Sequence, residues 1–264
     1  MVAAGDIACP GEPCDQERGT AAMVERIGPD VVLALGDTQY RAGALADFRA
    51  SYDRTWGSFR SITKPVPGNH EYRTTGAAGY FAYFGRIAAV DDGGDYSFQL
   101  GRWLLVAINS AAPGAITDGQ LDRVRADLEE SSHRCEIVYW HHPLFSSGAV
   151  EGSDPMPELA SLWALLHAQR VDVVLNGHAH QYERFAPLGA DGAIDDVNGI
   201  REFVVGTGGG DPHPFEEVPL PASRVRITEV HGVLELELQP RAYAWRFVGT
   251  DGSVLDHGSA ACHG

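Results

Sequence analysis

Five short polar clusters in this chain hold enough oxygen and imidazole donors for two cations. They are Gly5-Asp6-Ile7-Ala8, Gly36-Asp37-Thr38-Gln39-Tyr40, Gly68-Asn69-His70-Glu71, Trp140-His141-His142-Pro143 and Gly177-His178-Ala179-His180. Carboxylate, phenolate, amide oxygen and neutral imidazole suit hard or borderline cations such as Fe, Mn and Zn, and two such ions together suit displacement at phosphorus. Phosphoester hydrolysis is therefore the leading reading. Singly, each cluster has an ordinary explanation: Asp6 and Asp37 as turn residues, Tyr40 as an amphipathic aromatic, Gly68-Asn69-His70-Glu71 as a turn that tolerates positive φ. His178 and His180 can aim at one point if their loop leaves extended geometry. The adjacent His141 and His142 would face opposite sides of a strand, so only one could readily serve a given ion. The five clusters in order, each at or near a strand end, carry the reading.

The elements that must position them are visible as apolar runs. Val31-Val32-Leu33-Ala34-Leu35 ends at Gly36-Asp37, Ile137-Val138-Tyr139-Trp140 at His141, Val171-Asp172-Val173-Val174-Leu175 at Asn176-Gly177-His178, and Phe203-Val204-Val205 at Gly206-Thr207-Gly208. Such runs read as strands buried on both faces, and ligands in α/β sheets gather beyond their carboxyl ends. Helical signals lie between them. Asp118 can cap a segment with Leu121, Val124 and Leu128 on one face, Pro157 opens another with Leu159, Leu162, Leu165 and Leu166, and residues 17–27 form a third. Residues 225–230, 233–238 and 242–248 alternate as short strands that look antiparallel, making the whole a mixed α/β sandwich.

At 264 residues, 44 % of them hydrophobic, the chain can bury a large core, and no linker or repeat divides it, so one domain over 1–264 is expected. No apolar run approaches a membrane span. A net charge of −16 excludes a general nucleic-acid grip and leaves a phosphate substrate to be neutralised locally, by metal ions. In an oxidising compartment the four cysteines would pair as Cys9–Cys14 and Cys135–Cys262; free buried thiols and a zinc knuckle are the alternatives, though the spacing fits no standard zinc pattern. No signal peptide precedes the first cluster, so a chain starting at a mature domain is expected.

These motifs resemble the calcineurin-like metallophosphoesterase superfamily, and within it the purple acid phosphatase branch. The carrying residues are Asp6, then Gly36-Asp37-x-x-Tyr40, Gly68-Asn69-His70-Glu71, His141 followed by Pro143, and Gly177-His178-x-His180. Trp140-His141-His142-Pro143 and the segment from Gly177 to Arg184 are similar to secreted bacterial members. A glycine run, Gly206-Thr207-Gly208-Gly209-Gly210, also resembles the family's. The resemblance implies a four-layer αββα sandwich of two mixed β-sheets flanked by helices, and a secreted, bacterial origin.

One departure is informative: where most of the superfamily has a His two residues after the first Asp, this chain has Ala8. The resemblance implies that Tyr40 supplies the missing ligand, and its phenolate favours Fe(III). One ion would then be held by Asp6, Asp37, Tyr40 and His180. The second, Zn, Mn or Fe, would be held by Asp37, Asn69, His141 and His178, with Asp37 shared. His142 would pack or line the pocket. Two such ions would hold a bridging hydroxide for attack on phosphorus, and His70 is the candidate to bind the phosphoryl group or protonate the leaving oxygen, with a supporting role as its alternative. His213 is a weaker candidate for substrate contact. A phosphomonoesterase acting on a small phosphorylated substrate comes first, a phosphodiesterase or nucleotide phosphohydrolase second, and a catalytically silent metal- or phosphate-binding module third. Loops 41–53, 72–79 and 146–157 should shape substrate choice.

Overall fold

The computed structural model describes residues 1–89, 93–131, 135–149, 156 and 158–263. In chain order come β1 (Val2–Ala4), α1 (Asp15–Ile27), β2 (Val32–Leu35), α2 (Leu45–Ala50), β3 (Thr63–Val66), α3 (Ala78–Phe84), β4 (Tyr96–Leu100), β5 (Trp103–Ala107) and α4 (Asp118–Glu129). They are followed by β6 (Cys135–Tyr139), α5 (Leu159–Ala168), β7 (Val173–Asn176), β8 (Tyr182–Leu188), β9 (Ile200–Val205), β10 (Ser223–Ile227), β11 (Gly232–Gln239), β12 (Ala242–Gly249) and β13 (Val254–Ala261).

Two mixed sheets result. One runs β13-β12-β11-β1-β2-β3 and the other β10-β8-β9-β7-β6-β5-β4. In the first sheet one side, β1-β2-β3, is parallel and the other, from β1 through β11 and β12 to β13, is antiparallel; in the second the centre β5-β6-β7-β9 is parallel and both flanks are antiparallel.

Alternation along the parallel strands builds the layers. Leu105, Ile137, Tyr139, Val173, Leu175, Phe203 and Val205 share a core with Val32, Leu234 and Phe247 of the other sheet. Their neighbours Leu104, Val106, Val138, Val174 and Val204 instead join Val124 and Leu128 of α4 and Leu162, Trp163 and Leu166 of α5. Helix α1 packs on β11 and β12. The order is helix, sheet, sheet, helix, an α/β sandwich of the metallophosphoesterase kind.

Several boundaries differ from the sequence reading for local reasons. Thr117, not Asp118, caps α4: its Oγ1 accepts from the Gln120 amide at 3.2 Å, and the Gln120 side chain accepts from the Thr117 amide at 3.0 Å, a reciprocal capping box. Pro157 lies outside the described residues, and α5 runs from Leu159. The 225–230 segment is not joined to the strands after it; β10 ends at Ile227 and pairs with β8 in the other sheet.

Both disulfides form, which removes the free-thiol and zinc-knuckle alternatives. Cys9–Cys14 spans 5.8 Å between Cα atoms and Cys135–Cys262 spans 5.5 Å. The second ties the start of β6 to the residue after β13, and so one sheet to the other, at the end remote from the polar clusters. Among the described residues no helix is long and apolar enough to cross a membrane.

Candidate metal centre

Every cluster sits just beyond the carboxyl end of a parallel strand: Asp6 after β1, Asp37 after β2, Asn69 after β3, His141 after β6, His178 after β7. The loops are stitched to each other rather than left to solvent. The Asp6, Ile7 and Ala8 amides donate to the carbonyls of Gly36, Asp37 and Thr38 at 3.0, 2.9 and 3.1 Å, and the Tyr40 amide returns a bond to Ala8 at 2.9 Å. Gly177 donates to the His141 carbonyl at 3.0 Å, and Gly210 to the Asp6 carbonyl at 2.8 Å. This crowding requires glycine: a Cβ at Gly36 would lie 2.5 Å from Nδ1 of His141, and one at Gly68 would collide with the Asp37 carboxylate.

Three proposed ligands take left-handed backbone conformations, Asp6 at φ 59°, Asp37 at 45° and His178 at 69°. Non-glycine residues hold such angles only where the surroundings over-determine them, and they concentrate at functional sites.

The donor atoms fall into two groups that meet at one oxygen. In the first, Tyr40 OH lies 2.9 Å from Oδ1 of Asp6, 3.3 Å from Oδ2 of Asp37 and 2.7 Å from Nε2 of His180, which is itself 3.2 Å from Oδ1 of Asp6. In the second, Oδ1 of Asn69 lies 3.1 Å from Nε2 of His141 and 3.0 Å from Nδ1 of His178. Those two nitrogens are 3.2 Å apart, and Oδ2 of Asp37 is 3.4 Å from Nε2 of His141. Ligands at ~2.1 Å from a cation stand about 3.0 Å apart in an octahedral shell and about 3.4 Å in a tetrahedral one. The observed spacings fit both groups to a cation.

The partners outside these groups orient the donors correctly. Nδ1 of His141 faces the Leu35 carbonyl at 2.8 Å and Nδ1 of His180 the Asp211 carbonyl at 2.7 Å. A ring nitrogen facing a carbonyl carries the proton, which leaves Nε2 of each unprotonated in the neutral ring and turned inward. The carboxylates divide their oxygens the same way. Oδ2 of Asp6 accepts the His178 amide at 2.7 Å and Oδ1 of Asp37 the His70 amide at 2.8 Å, freeing the other oxygen of each.

Burial alone would raise the pKa of both carboxyl groups. The charges and hydrogen bonds of His180 on Asp6, and of His141 on Asp37, hold both below the usual range. Burial opposes charge on His141 too, yet Asp37 and Asp6 lift it to about 9. The phenol of Tyr40 is pushed far up by burial and then by Asp6 and Asp37, so only a strong positive charge beside it would make it phenolate.

Glu71, quoted in the sequence motif without a role, is the brace of the site. It is fully buried and accepts from the Gly68 amide at 2.7 Å, Thr38 Oγ1 at 3.0 Å and the Gln39 amide at 3.1 Å, so it locks the Asp37 loop to the Asn69 loop. His70 places Nδ1 2.8 Å from the Arg41 carbonyl and Nε2 3.8 Å from Oδ2 of Asp37. His142 lines the edge: its ring is 4.6 Å from that of His178, and its Nδ1 is 3.0 Å from the Ser110 hydroxyl. His213 stacks on His180 with ring centroids 3.9 Å apart, and its Nδ1 takes the His180 amide at 3.2 Å. A cavity of about 340 Å³ opens above, lined by Tyr40, His70, His180 and His213 together with Arg41 and Arg73.

Two sheets of this topology, with candidate donors at the carboxyl ends of their parallel strands, are the fold of a metallophosphoesterase. The family model for calcineurin-like phosphoesterases matches residues 2–182, and the chain belongs to that family. Members typically bind two metal ions. Purple acid phosphatase 22 of Arabidopsis thaliana is 24 % identical over 273 residues, covering 91 % of this chain and 60 % of its own length. A probable cyclic nucleotide phosphodiesterase of Vesicomyosocius okutanii is 23 % identical over 175 residues, covering 64 % of this chain and 70 % of its own. The structure of a purple acid phosphatase from yellow lupin seeds superposes with a TM-score of 0.81 at 20 % identity, over 98 % of this chain and 53 % of that one. The chain spans about half the length of the curated relatives it matches first.

Proposed function

We propose that this chain is a dinuclear metal-dependent phosphoester hydrolase, acting first on small phosphomonoesters. The observation that carries the reading is the convergence of seven candidate donors in two groups that share Oδ2 of Asp37, with neighbouring donor atoms 2.7 to 3.4 Å apart. Asp6, Asp37, Tyr40 and His180 would hold Fe(III); Asp37, Asn69, His141 and His178 would hold Zn, Mn or Fe. When bound, the two cations lower the pKa of water and neutralise charge on the phosphoryl oxygens.

The chain's own residues do the rest. The stitched loops hold the donors rigid, and His213 keeps His180 in place by stacking. His70 has Nδ1 committed to the Arg41 carbonyl, so its Nε2 is the atom available to bind the phosphoryl group or to hold and release a proton at the leaving oxygen. The paired cysteines suit a secreted protein working in an oxidising compartment, and the chain is proposed to act as one domain.

Diester hydrolysis is the second reading, favoured by the cyclic nucleotide phosphodiesterase relative. One set of measurements tests both. The iron-loaded protein should show a visible tyrosinate-to-iron(III) band that Tyr40→Phe abolishes, and it should hydrolyse nitrophenyl phosphate faster than bis(nitrophenyl) phosphate. The reverse preference selects the diester reading. Two ions bound with neither ester cleaved would leave a silent metal-binding module in its place.

A further inference from the structure

The cavity over the metal centre carries two positive charges that the hydrolytic reading does not use. Arg41 and Arg73 are both exposed on its wall, and among the described residues neither guanidinium has a carboxylate partner. What sets these two apart is their place: they line the same cavity as Tyr40, His70 and His180.

The Arg41 carbonyl ties Arg73 to His70. The Arg41 carbonyl takes Nδ1 of His70 at 2.8 Å, and Nη1 of Arg73 lies 3.4 Å from the same oxygen. Because Nε2 of His70 is 3.8 Å from Oδ2 of Asp37, the Arg73 guanidinium lies one imidazole ring and one carbonyl away from the shared ligand. An ester arm extending from a phosphoryl group beside His70 would meet a cavity wall that Arg41 and Arg73 both line. Asp211 and His213 line the cavity as well, with the Asp211 backbone carbonyl held by Nδ1 of His180. Guanidinium is also the side chain best matched to carboxylate and phosphate, through paired N–H donors.

We propose that Arg41 and Arg73 form a second anion subsite, and that the preferred substrates are small phosphomonoesters bearing another anionic group, carboxylate or phosphoryl, two or three carbons from the scissile phosphate. The inference rests on the hydrolase reading for its substrate but not for its binding.

The test uses two matched pairs of compounds that differ only in the second charge. The metal-loaded protein should have a kcat/KM for 3-phosphoglycerate at least about tenfold above that for glycerol 3-phosphate. In Arg41→Ala/Arg73→Ala the ratio should fall toward one, and Arg41→Lys/Arg73→Lys should recover part of it. Calorimetric titration should give the same pattern with non-hydrolysable ligands: 4-phosphonobutyrate should bind at least about tenfold tighter than butylphosphonate, with the gap closing in the double alanine variant and narrowing as KCl is raised. No preference in the wild type, or a preference the double alanine variant retains, overturns the proposal. If neither ester is cleaved by the wild type, the hydrolase reading fails by itself, and the phosphonate titration alone decides the subsite.

Discussion

Asp37 is the residue on which both donor groups depend, so its removal should be distinguishable from that of any other ligand. Its Oδ2 is 3.3 Å from Tyr40 OH and 3.4 Å from Nε2 of His141, and no other described side chain is shared by the two groups in this way. Asp37→Ala should therefore reduce bound metal from two ions per chain to none. His180→Ala should lose the ion of its own group, and His178→Ala the ion of the other. The thermal consequence can be worked out. An ion at one hundred times its dissociation constant stabilises the folded state by ~2.7 kcal/mol. At roughly 2 °C per kcal/mol for a chain of this length, that is about 5 °C per ion and about 10 °C for both. The assay is elemental analysis after chelation and reloading, beside calorimetric melting of each variant with and without metal. Each variant is compared with its own chelated form, because Asp37 sits at φ 45° and alanine alters the backbone strain there. Retention of the full thermal gain by Asp37→Ala, or of both ions by His180→Ala, would refute the shared-aspartate arrangement.

Glu71→Ala leaves the Gly68 and Gln39 amides and the Thr38 hydroxyl without their acceptor in a buried position and should lower stability by about 3–5 kcal/mol, read by urea unfolding of the chelated protein. Glu202 is fully buried on β9 without a full hydrogen bond to either oxygen, and burial together with Glu183 raises its carboxyl well above 4.5. The folded state thus holds a proton that the unfolded chain releases, so stability should fall by up to ~1.4 kcal/mol per pH unit as pH rises from the unfolded value toward the folded one. Glu202→Gln should flatten that slope in urea melts taken from pH 4 to 8. Replacing Cys135 and Cys262 by serine opens a link of sequence separation 127 and should cost about 5 kcal/mol on the loop-entropy argument, against about 2 kcal/mol for Cys9 and Cys14, separated by 5.

What the sequence makes legible here follows from burial. Strands β2, β6 and β7 are largely covered on both faces, so their apolar runs are visible and a candidate donor follows each strand end. The apolar end of β9, Phe203–Val205, is visible as well, although that strand also carries Arg201 and Glu202 and is followed by the glycine run. β5 is equally buried but no donor cluster follows it, and the other strands that escaped are of other kinds. β8 carries Glu183, Arg184 and Pro187, and β13 exposes Val254 and Leu255 while burying Asp256 against Arg184, so neither shows a regular alternation. β1 is three residues long. In the site, the donors were accessible through type and order. Glu71 and the arginine pair were not, because their roles arise from where loops cross rather than from spacing along the chain. The one signal for Glu71 was a carboxylate beside a motif otherwise accounted for, which by itself has a turn or surface reading.

The geometry also divides the labour of the site. The left-handed conformations at Asp6, Asp37 and His178 disfavour the folded chain by about 1–3 kcal/mol each, and they persist because amide-to-carbonyl bonds between the loops leave the backbone nowhere else to go. Donors held in this way need little reorganisation when charge develops at phosphorus, which is where preorganised electrostatics contribute most. None of that rigidity discriminates among phosphomonoesters, since the phosphoryl group is the same in all of them. Discrimination has to come from the cavity wall, where Arg41 and Arg73 stand exposed. A rigid centre built at strand ends and a rim carried on loops are thus separable, and under the proposed hydrolase reading substitutions at Arg41 and Arg73 should change which ester is chosen while leaving the candidate donors in place.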